Sequence, residues 1–231
     1  MKTLSTTLEI EKKGNIAILW LNRAKKYNAL SSELWGGIPD ALNKILLDDD
    51  INAIILAGRG KHFCVGIDLA EAGFLAGNQN DGSFSEAESN LRQLDGTQRF
   101  QRAISSIADC ELPVIGVIHG YCLGAGVDLI TACDIRICSA DANFSVRETK
   151  IGLVADVGTL QRLPKILNAG HVAELVYTGK DISAQRAEKI GLVNDVFESF
   201  DAAFDAAYAV ASEIAYNSTL AVRGTKFMLR Q

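Results

Sequence analysis

No two cysteines of this 231-residue chain form a CxxC pair, and the five present (Cys64, Cys110, Cys122, Cys133, Cys138) sit mostly in apolar stretches. Zinc sites need thiolates or imidazoles at paired short spacings, so no metal is expected, and thiols placed this way behave as small hydrophobes. Aromatic residues are scarce at 7%, which favours close helix-on-strand packing by alanine, glycine and small aliphatics over an aromatic-rich sandwich. Positive charge is not in excess: the net charge is −5 and the isoelectric point near 5.3, which excludes a broad nucleic-acid-binding face. No apolar run reaches transmembrane length, and residues 1–11 are neither Arg-rich nor strongly amphipathic. A soluble protein of a reducing compartment is therefore expected, with no membrane partner and a bacterial cytoplasm as the default setting. There is no G-x-S-x-G, and no Ser/His/Asp or Cys/His order stands out around His62, His119 or His171. An ordinary acyl hydrolase is thereby disfavoured.

What is present is one ordinary globular composition, 48% hydrophobic and 22% charged, with no domain-length linker and no fixed repeat. Strand-length apolar runs fall at Ile16–Leu21, 51–57, Val114–Ile118 and 135–138, with a short one at 143–146. Between them lie helical patterns. Ser31 or Ser32 caps the first, which places Leu34, Ile38, Ala41, Leu42, Ile45 and Leu46 on one face. Another begins near Ile67, a third spans about 88–108, and a fourth runs through Asp128 to Ala132. The polar, glycine-rich 77–85 segment reads as a mobile loop. From about Gly158 helices dominate, one with a Ser183 cap and a Gly191 stop, interrupted by a strand-like 192–197. Strands alternating with helices give an α/β chain with crossover connections.

A strand–turn–helix pattern occurs twice, in GRGKHFCVGIDL (58–69) and in HGYCLGAGVDL (119–129). Backbone N–H groups at a helix start have no internal partner. The amide of Ile67 and that of Ala125 or Gly126 are thus candidate donors to an oxygen carrying negative charge. Two such turns on neighbouring strands could aim both at one point, an oxyanion hole. One turn alone would read as a glycine requirement and nothing more. The second turn also resembles a dinucleotide-binding loop, but Leu129 stands where the third glycine of G-x-G-x-x-G belongs, so that rival is set aside.

Three acids follow: Asp128 within an apolar helix, Glu148 in SVRETKIGL and Asp156 in GLVADVG. Asp156 could merely cap the following helix, and Glu148 could merely pair with Arg147 or Lys150. Asp134 reads as a turn residue beside Arg136. Carboxylates buried near one another have raised pKa values, which suits proton transfer at neutral pH.

LNRAKKYNAL (21–30), HFCVGIDL (62–69), HGYCLGAGVDLITACDIR (119–136), GLVADVGTLQRLP (152–164) and TGKDISAQRAEKIGLVNDVF (178–197) together resemble, in order, the crotonase (enoyl-CoA hydratase/isomerase) superfamily. The resemblance implies a ββα spiral core over 1–195, followed by the start of a C-terminal helical trimerisation region over 196–231. It implies an acyl-CoA thioester substrate, with amides of Ile67 and Ala125 binding the thioester carbonyl. Cys64, Val65, Gly66, Asp68 and Gly126 would line the acyl-CoA site, and Arg23, Lys26 and Ala29 would lie along the CoA moiety. No separate cofactor is implied, CoA being part of the substrate, and a homotrimer or hexamer is.

Ordinary hydratases carry glutamates at the positions of Asp128 and Glu148. The set Asp128, Glu148, Asp156 instead resembles the delta(3,5)-delta(2,4)-dienoyl-CoA isomerases, whose implied role is in fatty acid beta-oxidation. An enoyl-CoA hydratase and a catalytically silent acyl-CoA-binding paralogue are the alternatives. The family usually continues past the region of Lys226, so an incomplete C-terminus is expected here, and a peroxisomal or mitochondrial setting stays open.

Overall fold

In the computed structural model, which describes residues 6–71 and 86–231, two sheets carry the chain. The larger has the order β1-β2-β3-β4-β6-β9 and the smaller β5-β7-β8. The strands are β1 (Leu8–Lys13), β2 (Ile16–Leu21), β3 (Ala53–Gly58), β4 (Val114–Ile118), β5 (Tyr121–Leu123), β6 (Ile135–Ser139), β7 (Asn143–Ser145), β8 (Ile182–Ser183) and β9 (Asp195–Phe197). β2, β3, β4, β6 and β9 run parallel, in registers such as Ile16↔Ala53, Ile54↔Val114 and Ile115↔Ile135. Parallel strands buried on both faces read as continuous apolar runs, as IAILWL and VIGVI do.

The spiral comes from strands that step from one sheet to the other. β4 leads into β5, and β6 into β7, with β5 and β7 paired in parallel. After β3 the same step survives only as an isolated bridge, Cys64↔Cys122. β1 precedes the apolar runs: LEIEKK alternates, and Gly14, at φ +58°, turns it back onto β2 in antiparallel register.

The helices are α1 (Ser32–Leu46), α2 (Glu86–Asp109), α3 (Ala125–Ala132), α4 (Thr159–Ile166), α5 (Ala169–Thr178), α6 (Ala184–Ile190), α7 (Phe200–Tyr216) and α8 (Thr219–Leu229). Ser31, not Ser32, caps α1, accepting from the Leu34 amide at 3.3 Å. α1, α2 and α3 build the main core with Leu34, Trp35, Ile38, Ile104 and Leu129. Each such side chain contributes about 1.5–3 kcal/mol by leaving water. α7 packs the small residues Ala203, Ala207 and Ala211 against Ile18, Ile55 and Val117 on the opposite face of the large sheet. A division at 195/196 therefore runs through β9, and the 196–231 segment shares the core it follows. All five cysteines are buried and free. Among the described residues no helix is long and apolar enough to cross a membrane.

The helix expected from Ile67 does not form within the described residues. Leu30 pairs with this segment instead: its amide donates to the Gly66 carbonyl at 2.8 Å, and its carbonyl accepts from the Asp68 amide at 3.1 Å. That bridge holds Ile67 extended, and a turn follows, closed by the Glu71 amide on the Asp68 carbonyl. Residues beyond 71, including the loop read at 77–85, lie outside the described residues until α2.

Candidate active site

The two glycine turns meet. Cys64 N–H donates to the Tyr121 carbonyl and Leu123 N–H to the Cys64 carbonyl, so the segment after β3 is laced to β5. Beyond that lacing, Gly66 and Gly124, both at positive φ, come so close that a Cβ on Gly124 would lie 3.9 Å from the Gly66 Cα. A Cβ on Gly66 would lie 3.0 Å from the Leu123 carbonyl oxygen and 3.5 Å from the Ala125 nitrogen. A Cβ on Gly126 would lie 2.7 Å from the Cys64 carbonyl oxygen. Only glycine permits this approach of backbone to backbone.

Ala125 is the first residue of α3, so its N–H has no partner within the helix. The Ile67 N–H likewise finds no acceptor among the described residues, though as part of a bridge rather than a helix start. Two free amides thus lie on adjoining turns. His62 and His119 brace them from outside: Tyr121 N–H donates to His62 Nδ1 at 3.1 Å, and His119 Nε2 pairs with the Gly60 carbonyl at 2.9 Å.

Asp128 of α3 is fully buried. Its Oδ1 accepts from the Thr159 N–H, the first amide of α4, at 2.5 Å, while Oδ2 has no partner. α4 thus receives its cap from another helix, and Asp156 does not supply it. Burial pushes the Asp128 carboxyl up to about 6, against the Thr159 donor and the nearby Arg162, with Asp156 adding to the rise.

Glu148 heads a short 3-10 helix, Glu148–Ile151. Its basic neighbours are taken elsewhere: Arg147 pairs with Asp181 at 2.8 Å, and Lys150 approaches the same carboxylate at 4.0 Å. Glu148 Oε2 is buried without a partner, and Oε1 lies 3.3 Å from where a Gly124 Cβ would be. Burial first, then the charges of Asp128 and Asp156, push its carboxyl up to about 7. A carboxyl poised there can hold or release a proton at neutral pH.

Asp156 is brought near both acids but is exposed rather than buried. Small neighbours in GLVADVG read as a buried environment, whereas Ala155 and Gly158 are buried, Val157 packs against the core and Asp156 itself turns outward. The Asp156 carbonyl accepts from Gln101 Nε2 of α2 at 2.8 Å. Four buried polar atoms around the acids lack partners: Asp128 Oδ2, Glu148 Oε2, Thr159 Oγ1 and Arg162 Nη1. Buried polar groups without partners are costly, and such a concentration marks a site rather than a scaffold.

The remaining expected residues fall around this centre. Asp68 is held by Arg23 at 2.5 Å and caps the Ala70 amide, and the Arg23 guanidinium lowers its carboxyl from the ordinary value. Arg23 also donates to the Ala29 carbonyl at 3.1 Å. Lys26 is exposed, and Val65 N–H donates to the Tyr27 carbonyl. The Cys64 thiol is buried and pushed up to about 12, so only its backbone can meet a ligand. Asp134 caps the Val114 amide and pairs with Lys226, at 2.7 Å each, rather than sitting with Arg136. Arg162 was not singled out in the sequence. Its only signal there is a cation one helical turn beyond an acid-bearing loop.

Residues 11–231 match the family model for enoyl-CoA hydratase/isomerase. The chain is 41% identical, over 96% of its length and 76% of the relative's, to a mitochondrial Delta(3,5)-Delta(2,4)-dienoyl-CoA isomerase of Dictyostelium discoideum. It is 42% identical, over 96% of its length and 81% of the relative's, to a peroxisomal Delta(3,5)-Delta(2,4)-dienoyl-CoA isomerase of Arabidopsis thaliana. The solved enoyl-CoA hydratase of Bacillus anthracis is similar with a TM-score of 0.85 and 29% identity, covering 97% of this chain and 83% of that one. The expectation of a cytoplasmic setting finds no support in relatives named for mitochondria and peroxisomes.

Proposed function

Because the chain belongs to the enoyl-CoA hydratase/isomerase family, we propose that it shifts the double bonds of a 3,5-dienoyl-CoA to the 2,4-positions. The observation that carries the reading is Glu148, whose carboxyl, its Oε2 unpartnered, stands against the junction of the two glycine turns. The Ile67 and Ala125 N–H groups donate to the thioester oxygen. As charge develops there, each donor contributes about 3 kcal/mol to barrier lowering.

Glu148 takes the proton from C2, and the electron pair spreads through the conjugated chain to C6. Asp156 delivers a proton at that far end, and its exposure leaves it free to exchange protons with water between turnovers. Asp128, capping α4, holds the geometry and raises the proton affinity of Glu148. One proton leaves and one arrives, so the reaction is balanced without an electron carrier, and CoA enters as part of the substrate. Arg23 with Asp68, Lys26 and Ala29 fall on the CoA side of this reading, and residues 64–66 with Gly126 on the acyl side.

Identity of over 40% to enzymes named for this isomerisation supports the reading, as does the aspartate at 128 in company with Asp156. Beta-oxidation of fatty acids is the setting it suggests. Assembly into trimers or hexamers belongs to the same proposal, supported by the outward apolar side chains of α8, Leu220, Phe227, Met228 and Leu229.

Incubation with a 3,5-dienoyl-CoA should generate the absorbance of the conjugated 2,4-dienoyl product. Asp156→Asn should abolish it without lowering the melting temperature, since the side chain is exposed. A wild-type protein that forms no product, or hydrates crotonyl-CoA faster than it isomerises, overturns the assignment.

A further inference from the structure

Asp128 combines a fully buried carboxyl, an unpartnered Oδ2 and two acidic neighbours. A carboxylate so placed needs a compensating cation or it takes up a proton. The groups acting on it are Glu148 from the short 3-10 helix, Asp156 from the loop before α4, the Cys64 and Cys122 thiols beneath the turns, and Arg162 from α4. Of these, Arg162 alone is a cation.

Its placement is built rather than incidental. Arg162 Nη2 donates to Ser105 Oγ of α2 at 3.0 Å. Four residues earlier on the same helix, Gln101 holds the Asp156 carbonyl. Arg162 Nη1 is buried without a partner and seated against Gly158, where a Cβ would fall only 1.7 Å from it. Gly158 also stands at φ +140° as the residue before α4, a conformation and a space that glycine alone supplies. One face of α2 thus clamps both ends of the acid-bearing segment, while Asp109, further along α2, attracts the same guanidinium.

We propose that Arg162 is a positioning residue of this site: anchored on Ser105 and seated in the notch at Gly158, its guanidinium keeps Asp128 ionised and fixed on the α4 amide. The pair of inner acids then holds its exchangeable proton on Glu148, beside the glycine turns, rather than on Asp128 behind them. Because Glu148 is the base of the proposed isomerisation, the inference rests on that reading for its kinetic consequence. Its electrostatic content stands alone.

Two measurements separate the two. Carbon-13 NMR titration of the side-chain carboxyls of the full chain without substrate, assigned with Asp128→Asn and Glu148→Gln, reads the acids directly. In Arg162→Gln the titration of the Asp128–Glu148 pair should move up by about one pH unit, a tenfold change in proton affinity. Arg162→Lys should restore most of it, and Ser105→Ala, a milder change, should move it the same way by less. In the 3,5-dienoyl-CoA assay, Arg162→Gln should lower kcat by about 10- to 100-fold with KM within about threefold, and lift the acid limb of the pH profile. Wild-type titration in both Arg162→Gln and Ser105→Ala overturns the inference, as does Arg162→Lys behaving like Arg162→Gln in both measurements. Should wild type isomerise nothing, the proposed activity falls, and the NMR titration still decides what Arg162 does.

Discussion

Glu148→Gln should make the protein more stable above neutrality and leave it unchanged in acid. In the fold the carboxyl is pushed from the ordinary 4.5 to about 7. Below pH 4.5 it is neutral in both folded and unfolded chains and contributes nothing that glutamine lacks. As pH rises from about 4.5 to about 7 the unfolded chain ionises while the folded acid stays protonated, so the wild type progressively loses stability relative to the variant, and the loss is complete above pH 7. Each tenfold of proton affinity is worth about 1.4 kcal/mol, which sets an upper value of about 3.5 kcal/mol above pH 7. Residual access to water and the shared charge of Asp128 reduce this to about 1–3 kcal/mol. For a chain of this length that is a rise of about 2–12 °C in melting temperature. Calorimetry of both proteins at pH 4.5 and pH 8 measures it. A variant that melts lower than wild type at pH 8, or gains equally at both pH values, refutes the assignment of Glu148 as a strained, functional acid.

Gly124→Ala places a methyl 3.3 Å from Glu148 Oε1 at a backbone conformation with φ +53°. It should cost about 1–3 kcal/mol in urea melts and about 100- to 1000-fold in kcat, by disturbing the donor of Ala125 and the base together. Wild-type turnover by the folded variant would sever those two groups from the chemistry. The kcat/KM of the wild type should rise with pH through about 7, because the base role proposed for Glu148 needs it ionised; a maximum below pH 5 contradicts that role. Lys226→Met removes a buried ammonium bound to the Leu112 carbonyl at 2.8 Å and to Asp134. It should lose about 1–3 kcal/mol and speed amide exchange throughout α8; unchanged exchange would show that α8 is held by its other contacts.

The glycine turns and the long elements were legible because their signals are local. Apolar runs of strand length, a cap at Ser31 or Ser32 and the repeated strand–glycine–helix pattern need no knowledge of distant partners. The first turn misled on one point. Ile67 ends an apolar-looking segment that reads as a helix start, but Leu30, 37 positions earlier, captures it in a bridge. Partners that remote leave no mark in periodicity. The same reason hides Arg162 and its seat, since neither Ser105 nor Gly158 signals in sequence that a guanidinium lies between them. Asp156 shows the converse error: small neighbours suggest burial, whereas a loop of small residues can also turn its acid outward. β1 was legible and missed, with its alternation and its Gly14-Asn15 turn in plain view.

The junction of Gly66, Gly124 and Gly126 welds two loops from different strands into one mechanical part. Neither can be adjusted without moving the other, because a single Cβ added at Gly66 or Gly126 would fall within 3.0 Å of a carbonyl oxygen of the other loop. Substitutions in the two loops should therefore be strongly non-additive, the second doing little once the first has pried the part open. Tolerated substitutions should therefore gather outside that weld, in the segments that surround it.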